Sequence, residues 1–209
     1  MKTPRAIFVT DPICAWCWGT LPELLRARET LAGEVNFELL MAGLQVGTLR
    51  ELPQYEIRRL KRLWLDVRKT TGQPFSGELP DDFIYHSELA CRAVTVARMA
   101  LGEEPFEFFH ALQQAFYVDR ENISAAETLG KLSEAHGISA ETMSRRLNDD
   151  DVIAETRRGF ESTKFLAAHA LPSVVVDVGE GPKLLCGGYF TADYLVEAIR
   201  ERNTATGEA

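Results

Sequence analysis

Apolar residues change their spacing twice along this chain, and those changes divide it into three stretches. The first opens with Ala6-Ile7-Phe8-Val9-Thr10, a short apolar and β-branched run that predicts a buried strand. Leu21, Leu24, Leu25, Ala27 and Leu31 then recur at helical spacing. Pro22 falls inside that helix and predicts a kink or a fresh start, and Gly33 predicts its end. Val35 to Met41 is again mostly apolar and reads as a second strand covered on both faces. Strand, helix, strand in this order predicts a parallel βαβ unit with a right-handed crossover.

After Gly43 the spacing is helical almost throughout, from about Leu49 to His169. Leu60, Leu63, Trp64 and Val67 share one face, with Arg58, Arg59, Lys61, Arg62 and Arg68 turned elsewhere as a solvated basic side. Thr70 to Pro80 reads as a break. Leu89, Ala93, Val96, Ala97 and Ala100 form the next helix, ending near Gly102, and Phe106, Phe109, Leu112 and Phe116 form an aromatic core face. Ser124-Ala125-Ala126-Glu127 fits a capping box, Gly137 a stop, and Ser139 the cap of a short helix to Leu147. Asp149-Asp150-Asp151 opens a last long helix, Val152 to His169. The two-residue period then returns. Ser173 to Val178, the turn Gly179-Glu180-Gly181-Pro182 and Lys183 to Cys186 predict a hairpin, followed by a helix capped by Thr191 and a frayed tail from Asn203 to Ala209. The outline is βαβ, about a hundred helical residues, then ββα. Residues 1–45 and 155–209 are expected to form one α/β domain with a central mixed sheet, and 46–154 an all-helical insertion.

Length and charge narrow the function. The 209 residues suffice for one large domain with a core of its own. A net charge of −8, from 23 basic and 31 acidic residues, argues against a general nucleic-acid binder. No apolar run is long enough to span a membrane, so no membrane partner is expected. Met1-Lys2-Thr3-Pro4-Arg5 leads into the first strand without the features of a signal peptide, and a cytoplasmic protein is expected. Four cysteines are too few to staple a chain of this size.

The chemistry gathers at Asp11-Pro12-Ile13-Cys14-Ala15-Trp16-Cys17-Trp18-Gly19, where the first strand turns into the first helix. Cys14 falls near the N-cap and Cys17 in the first turn. A helix N-terminus favours thiolate over thiol, so an exposed Cys14 is expected to ionise more readily than usual. A zinc site would need two further ligands. Cys91 and Cys186 are single and distant in sequence, and His86, His110, His136 and His169 show no matching spacing. A structural bridge over so short a loop would remove little unfolded-state entropy. A redox dithiol is the reading that remains. In Ala170-Leu171-Pro172-Ser173-Val174, Pro172 is either a plain strand start or a cis proline approaching the dithiol.

These motifs, with Gly187-Gly188 ahead of the last helix and Pro22 eight positions after Cys14, resemble the thioredoxin superfamily. The long helical insertion makes the chain most similar to the DsbA family, in its FrnE-like and 2-hydroxychromene-2-carboxylate isomerase-like branch. The resemblance implies a thioredoxin fold interrupted by helices and a protein disulfide oxidoreductase or isomerase that needs no metal or organic cofactor. It implies Cys14 as nucleophile, Cys17 as resolving thiol and Pro172 as a cis proline facing them. Leu171 would offer backbone groups to an extended substrate, beside Ala15, Trp16 and Trp18. Protein or peptide thiols and disulfides are the expected partners, and glutathione is a further candidate. Ala15 replaces the proline usual in this branch. Cys14 stands where the isomerase and kappa glutathione-transferase relatives carry serine, which argues against their chemistry. Two rivals stay open: a glutathione-linked small-molecule isomerase or transferase, and a non-catalytic protein-binding adaptor. Cys91, Cys186 and Trp64 read as core, the histidines have no assigned role, and no buried acid or base can be named.

Overall fold

Four short strands form one mixed sheet in the order β2-β1-β3-β4 in the computed structural model, which describes residues 3–47, 49, 51–166 and 168–207. β1 (Arg5–Thr10) runs parallel to β2 (Asn36–Met41) and antiparallel to β3 (Ser173–Asp177), which pairs antiparallel with β4 (Lys183–Gly187). Helix α1 (Ala15–Thr30) is the crossover between β1 and β2. Between β2 and β3 lie α2 (Gln54–Thr71), α3 (Glu88–Leu101), α4 (Phe106–Tyr117), α5 (Ala126–Glu134), α6 (Ala140–Arg146) and α7 (Asp150–Phe165). Helix α8 (Ala192–Gly207) closes the chain and packs on α1. The expected order βαβ, helices, ββα is therefore the observed one: a thioredoxin fold interrupted by helices.

Several local expectations change. Helix α1 continues through Pro22 without a fresh start. A proline deprives the carbonyl four residues back of its helical donor. That carbonyl belongs to Trp18, and the Gln73 side chain donates to it at 3.1 Å. The break after α2 runs from residue 72 to 87, longer than expected, because Gly72 at φ 77° ends the helix and the next starts only at Glu88. The capping box at Ser124 does not form. The Ser124 hydroxyl bonds to Asn122 Oδ1, and α5 starts two residues later without a side-chain cap. Ser139 does cap α6 through the Thr142 N–H at 3.2 Å. Asn203 to Gly207 continues α8 instead of fraying, and the expected tail beyond Gly207 lies outside the described residues.

One apolar cluster joins the sheet to the helices between its halves. Phe8, Leu39 and Val174 belong to it with Trp64, Phe109, Leu112 and Phe116, all buried. The insertion also covers the open edge of β2. The Leu39 N–H donates to Glu104 Oε2 at 2.9 Å, and Arg98 donates to the Leu39 carbonyl at 2.6 Å. An edge strand is thereby paired by side chains where another strand would otherwise add.

Helices α1 and α2 meet at Gly19, where an added Cβ would lie 2.6 Å from Val67 Cγ1 and 2.9 Å from Thr71 Cγ2. Alanine there would gain about 1 kcal/mol in helix propensity. Overpacking against a stiff β-branched neighbour costs about 1–3 kcal/mol, so the clash outweighs the gain. Gly19→Ala is expected to lower the urea midpoint at unchanged slope, and a raised midpoint would contradict this packing.

Candidate active site

The site begins where β1 ends. The Cys14 N–H donates to the Asp11 carbonyl at 3.1 Å, a tight turn that delivers Cys14 as the N-cap of α1. Its Sγ accepts the Cys17 N–H at 3.2 Å, so a thiol fills the place usually taken by a serine or aspartate oxygen. Both cysteines are free thiols, Cys14 at 6% exposure and Cys17 at 0%. In the antiparallel register Val9 faces Ser173, so Pro172 sits at the end of the sheet where β1 runs into the cysteine turn. The Leu171–Pro172 bond is cis, and the Pro172 carbonyl accepts the Gly188 N–H at 2.7 Å.

Electrostatics at this turn differ from the expected picture. Burial pushes the Cys14 thiol well above its ordinary value. The neighbouring Cys17 thiol and Asp11 add to the rise, and the hydrogen bond from the Cys17 backbone N–H opposes it. The helix terminus favours the thiolate, but the expected easier ionisation assumed an exposed sulfur, and here desolvation wins.

The sequence reading missed Asp11. It is fully buried, and Oδ1 accepts the Ile13 N–H at 3.0 Å. Oδ2 accepts the Leu44 N–H at 2.7 Å and the Ser87 hydroxyl at 2.9 Å, with Cys91 Sγ at 3.8 Å. Burial raises its pKa, and the hydrogen bonds from Leu44, Ile13, Ser87 and Cys91 oppose that rise only in part. A charged residue directly after a buried strand was the available signal. Nothing near it in sequence names Leu44, Ser87 or Cys91 as its partners.

A family model described as Thioredoxin matches residues 7–182. The chain belongs to the thioredoxin family. Among solved structures, this thioredoxin-family chain is similar to a candidate protein disulfide isomerase from Nitrosomonas europaea, at 29% identity and a TM-score of 0.87, covering 96% of this chain and 97% of that one. It is also similar to the cytosolic disulfide reductase DsbM from Pseudomonas aeruginosa, at 20% identity and a TM-score of 0.71, covering 98% of both chains. Among curated proteins it is similar to the ClpXP adapter protein SpxH of Shouchella clausii, 22% identical over 206 residues, which are 96% of this chain and 67% of that protein.

Other expected site residues are less close to solvent than their motif suggests. Trp18 does not form a substrate-facing rim. It is 1% exposed, stacks on His110 and Tyr117 and donates to the Pro74 carbonyl at 2.9 Å. One residue past Cys17, the helical turn aims it into the insertion. Ala15 is buried as well, its methyl packed into the core, so it offers no open side-chain surface. Trp16 and Leu171 remain half-exposed. Cys91 is buried in α3, and Cys186 on β4 is partly covered, with burial raising its pKa to about 11. Among the described residues no group of three His, Cys, Asp or Glu is placed to hold a metal, and no helix is long and apolar enough to cross a membrane.

The raised Cys14 value ties redox state to alkaline stability. The folded thiol keeps its proton to higher pH than the unfolded one, whose ordinary value is 9.0. The reduced fold therefore holds full stability below that pH and loses it as pH rises toward the folded value. Cys91, Tyr85 and Tyr117 are also raised by burial, but they do so in both redox forms. Denaturant melts of reduced and oxidised protein across the range above pH 9 are expected to diverge, the reduced form losing more. Parallel curves would contradict this burial of Cys14.

Proposed function

We propose that this protein is a thiol–disulfide oxidoreductase that works as a reductant, with Cys14 as nucleophile, Cys17 as resolving thiol and Pro172 facing them. The observation that carries the reading is the pair of free thiols at the N-terminus of α1, at the sheet end that also bears the cis Leu171–Pro172 bond. Cys14 gives up its proton, and its thiolate attacks one sulfur of a substrate disulfide. A bond forms between that sulfur and Cys14, and the other substrate sulfur leaves as a thiolate and is protonated. The Cys17 thiolate then attacks Cys14, closing the Cys14–Cys17 disulfide and releasing the second substrate thiol. Two electrons pass from the pair to the substrate, and a thiol of the glutathione class returns them.

The thiol's surroundings support the reducing direction. A strong oxidant has a stabilised thiolate in its reduced form. Cys14 has the opposite setting, buried and beside a carboxylate. The similarity to a cytosolic disulfide reductase, one of whose structures contains glutathione, supports this direction, glutathione as a partner and a cytoplasmic setting. Half-exposed Trp16 and Leu171 would meet the substrate. Placement in the FrnE-like branch rests on the sequence motifs alone.

A second reading, a protein-binding adaptor, is favoured by the similarity to SpxH. Reductase assays on a protein disulfide separate the two. Cys14→Ser is expected to abolish turnover, and Cys17→Ser to accumulate mixed disulfides on Cys14. Full turnover in Cys14→Ser would overturn the oxidoreductase reading. A protein complex that persists in the double serine variant, with no reductase activity in the wild type, would establish the adaptor.

A further inference from the structure

Helix α2 has two opposite faces of different character. Trp64 and Val67 are buried, and Gly19 of α1 packs against Val67 and Thr71. The other side carries Tyr55, Arg58, Arg62, Leu65 and Lys69, all exposed. Their spacing alternates between three and four residues, so they form one line along the helix. Tyr55 is 63% exposed and Leu65 56%, two large apolar side chains set among cations. The helix holds Arg58, Arg59, Lys61, Arg62, Arg68 and Lys69 against only Glu56 and Asp66. It is a basic element in a chain with a net charge of −8, so the remainder is more acidic than that total.

Ion pairing sets this helix apart from the rest of the surface. Lys61 pairs with Glu78 at 2.6 Å, but Arg58, Arg59, Arg62, Arg68 and Lys69 reach no carboxylate. Among the described residues every other Lys and Arg stands in an ion pair, except Arg145 and Arg28, which lies over the Phe106 ring. Arg58 and Arg62 are four residues apart on one face, a like-charge spacing that weakens a helix on its own.

We propose that the outer face of α2 is a docking surface for an acidic amphipathic helix of a protein partner. Carboxylates of that helix pair with Arg58, Arg62 and Lys69, and its apolar residues cover Tyr55 and Leu65. The seven-residue repeat of the line is the spacing at which two helices pack side by side. A nucleic acid fits less well, because its charge would run past α2 onto an acidic remainder. An anionic membrane also fits less well, since the line offers it only two apolar side chains. The face goes beyond the redox reading and stands whether the dithiol serves a reductase or an adaptor. A partner held there lies along a helix packed on α1, which bears the dithiol at its start.

The probe is a fluorescently labelled, cysteine-free peptide of glutamate, leucine and alanine, as long as α2 and patterned in heptads. It is titrated with the full chain and read by anisotropy. Binding is expected at low ionic strength, weakening as salt is added. A probe with glutamine in place of glutamate is expected not to bind. Arg62→Glu is expected to weaken binding about fivefold, and Arg58→Glu, Arg62→Glu and Lys69→Glu together about a hundredfold. Arg145→Glu makes the same charge change at an exposed cation elsewhere and is expected to alter binding by less than about twofold. All these positions face solvent, and unchanged circular dichroism checks that each variant folds. No binding of the acidic probe would overturn the proposal, as would equal losses in Arg62→Glu and Arg145→Glu. Tighter binding of a DNA oligonucleotide or of phosphatidylserine vesicles than of the peptide would also overturn it. Self-association of the unaltered chain that the triple variant abolishes would overturn it too, assigning the face to a second copy.

Discussion

The hydrogen bond from the Cys17 N–H to Cys14 Sγ is the contact on which the site depends. It makes one sulfur both the cap of α1 and the candidate nucleophile, so a shift of the thiol costs the helix its side-chain cap. That turn is also the covalent continuation of β1, the strand paired with both β2 and β3. The position of Cys14 is thus set by the middle of the sheet. The price of this rigidity is burial, which opposes the thiolate that the helix terminus favours.

The helices between β2 and β3 complete the thioredoxin fold instead of merely decorating it. Gln73 supplies the donor that Pro22 takes from the Trp18 carbonyl. Arg98 and Glu104 pair the outer edge of β2 at Leu39. Ser87 and Cys91 of the α3 region meet Asp11 directly under the cysteine turn. Each contact satisfies a backbone group or a charge that the βαβ unit would otherwise leave without a partner, at a site that solvent does not reach freely.

Much of this was legible in the sequence, because strand and helix periods and cap chemistry are local. Ala6–Thr10, the βαβ…ββα order, Cys14 at the N-cap and Ser139 as a cap all follow from residues a few positions apart. What could not be read depends on distant partners. Asp11 lies 33 positions from Leu44 and 76 from Ser87. Trp18 looks like part of the cysteine motif, yet the aromatic face of α4 claims it. The capping box at Ser124 failed for a local reason, since Asn122 offers its side-chain oxygen to the same hydroxyl and amide. The pH at which Cys14 ionises was misjudged because the motif shows the helix terminus and not the cover over it.

The central claim is that Cys14 and Cys17 form one reversible redox couple. Equilibrating the protein against stepped ratios of reduced and oxidised glutathione, quenching with acid and mapping each cysteine by mass tests it most directly. The account predicts a single two-electron transition that joins Cys14 to Cys17 while Cys91 and Cys186 remain thiols. Cys14 and Cys17 both remaining unjoined at every ratio would contradict it.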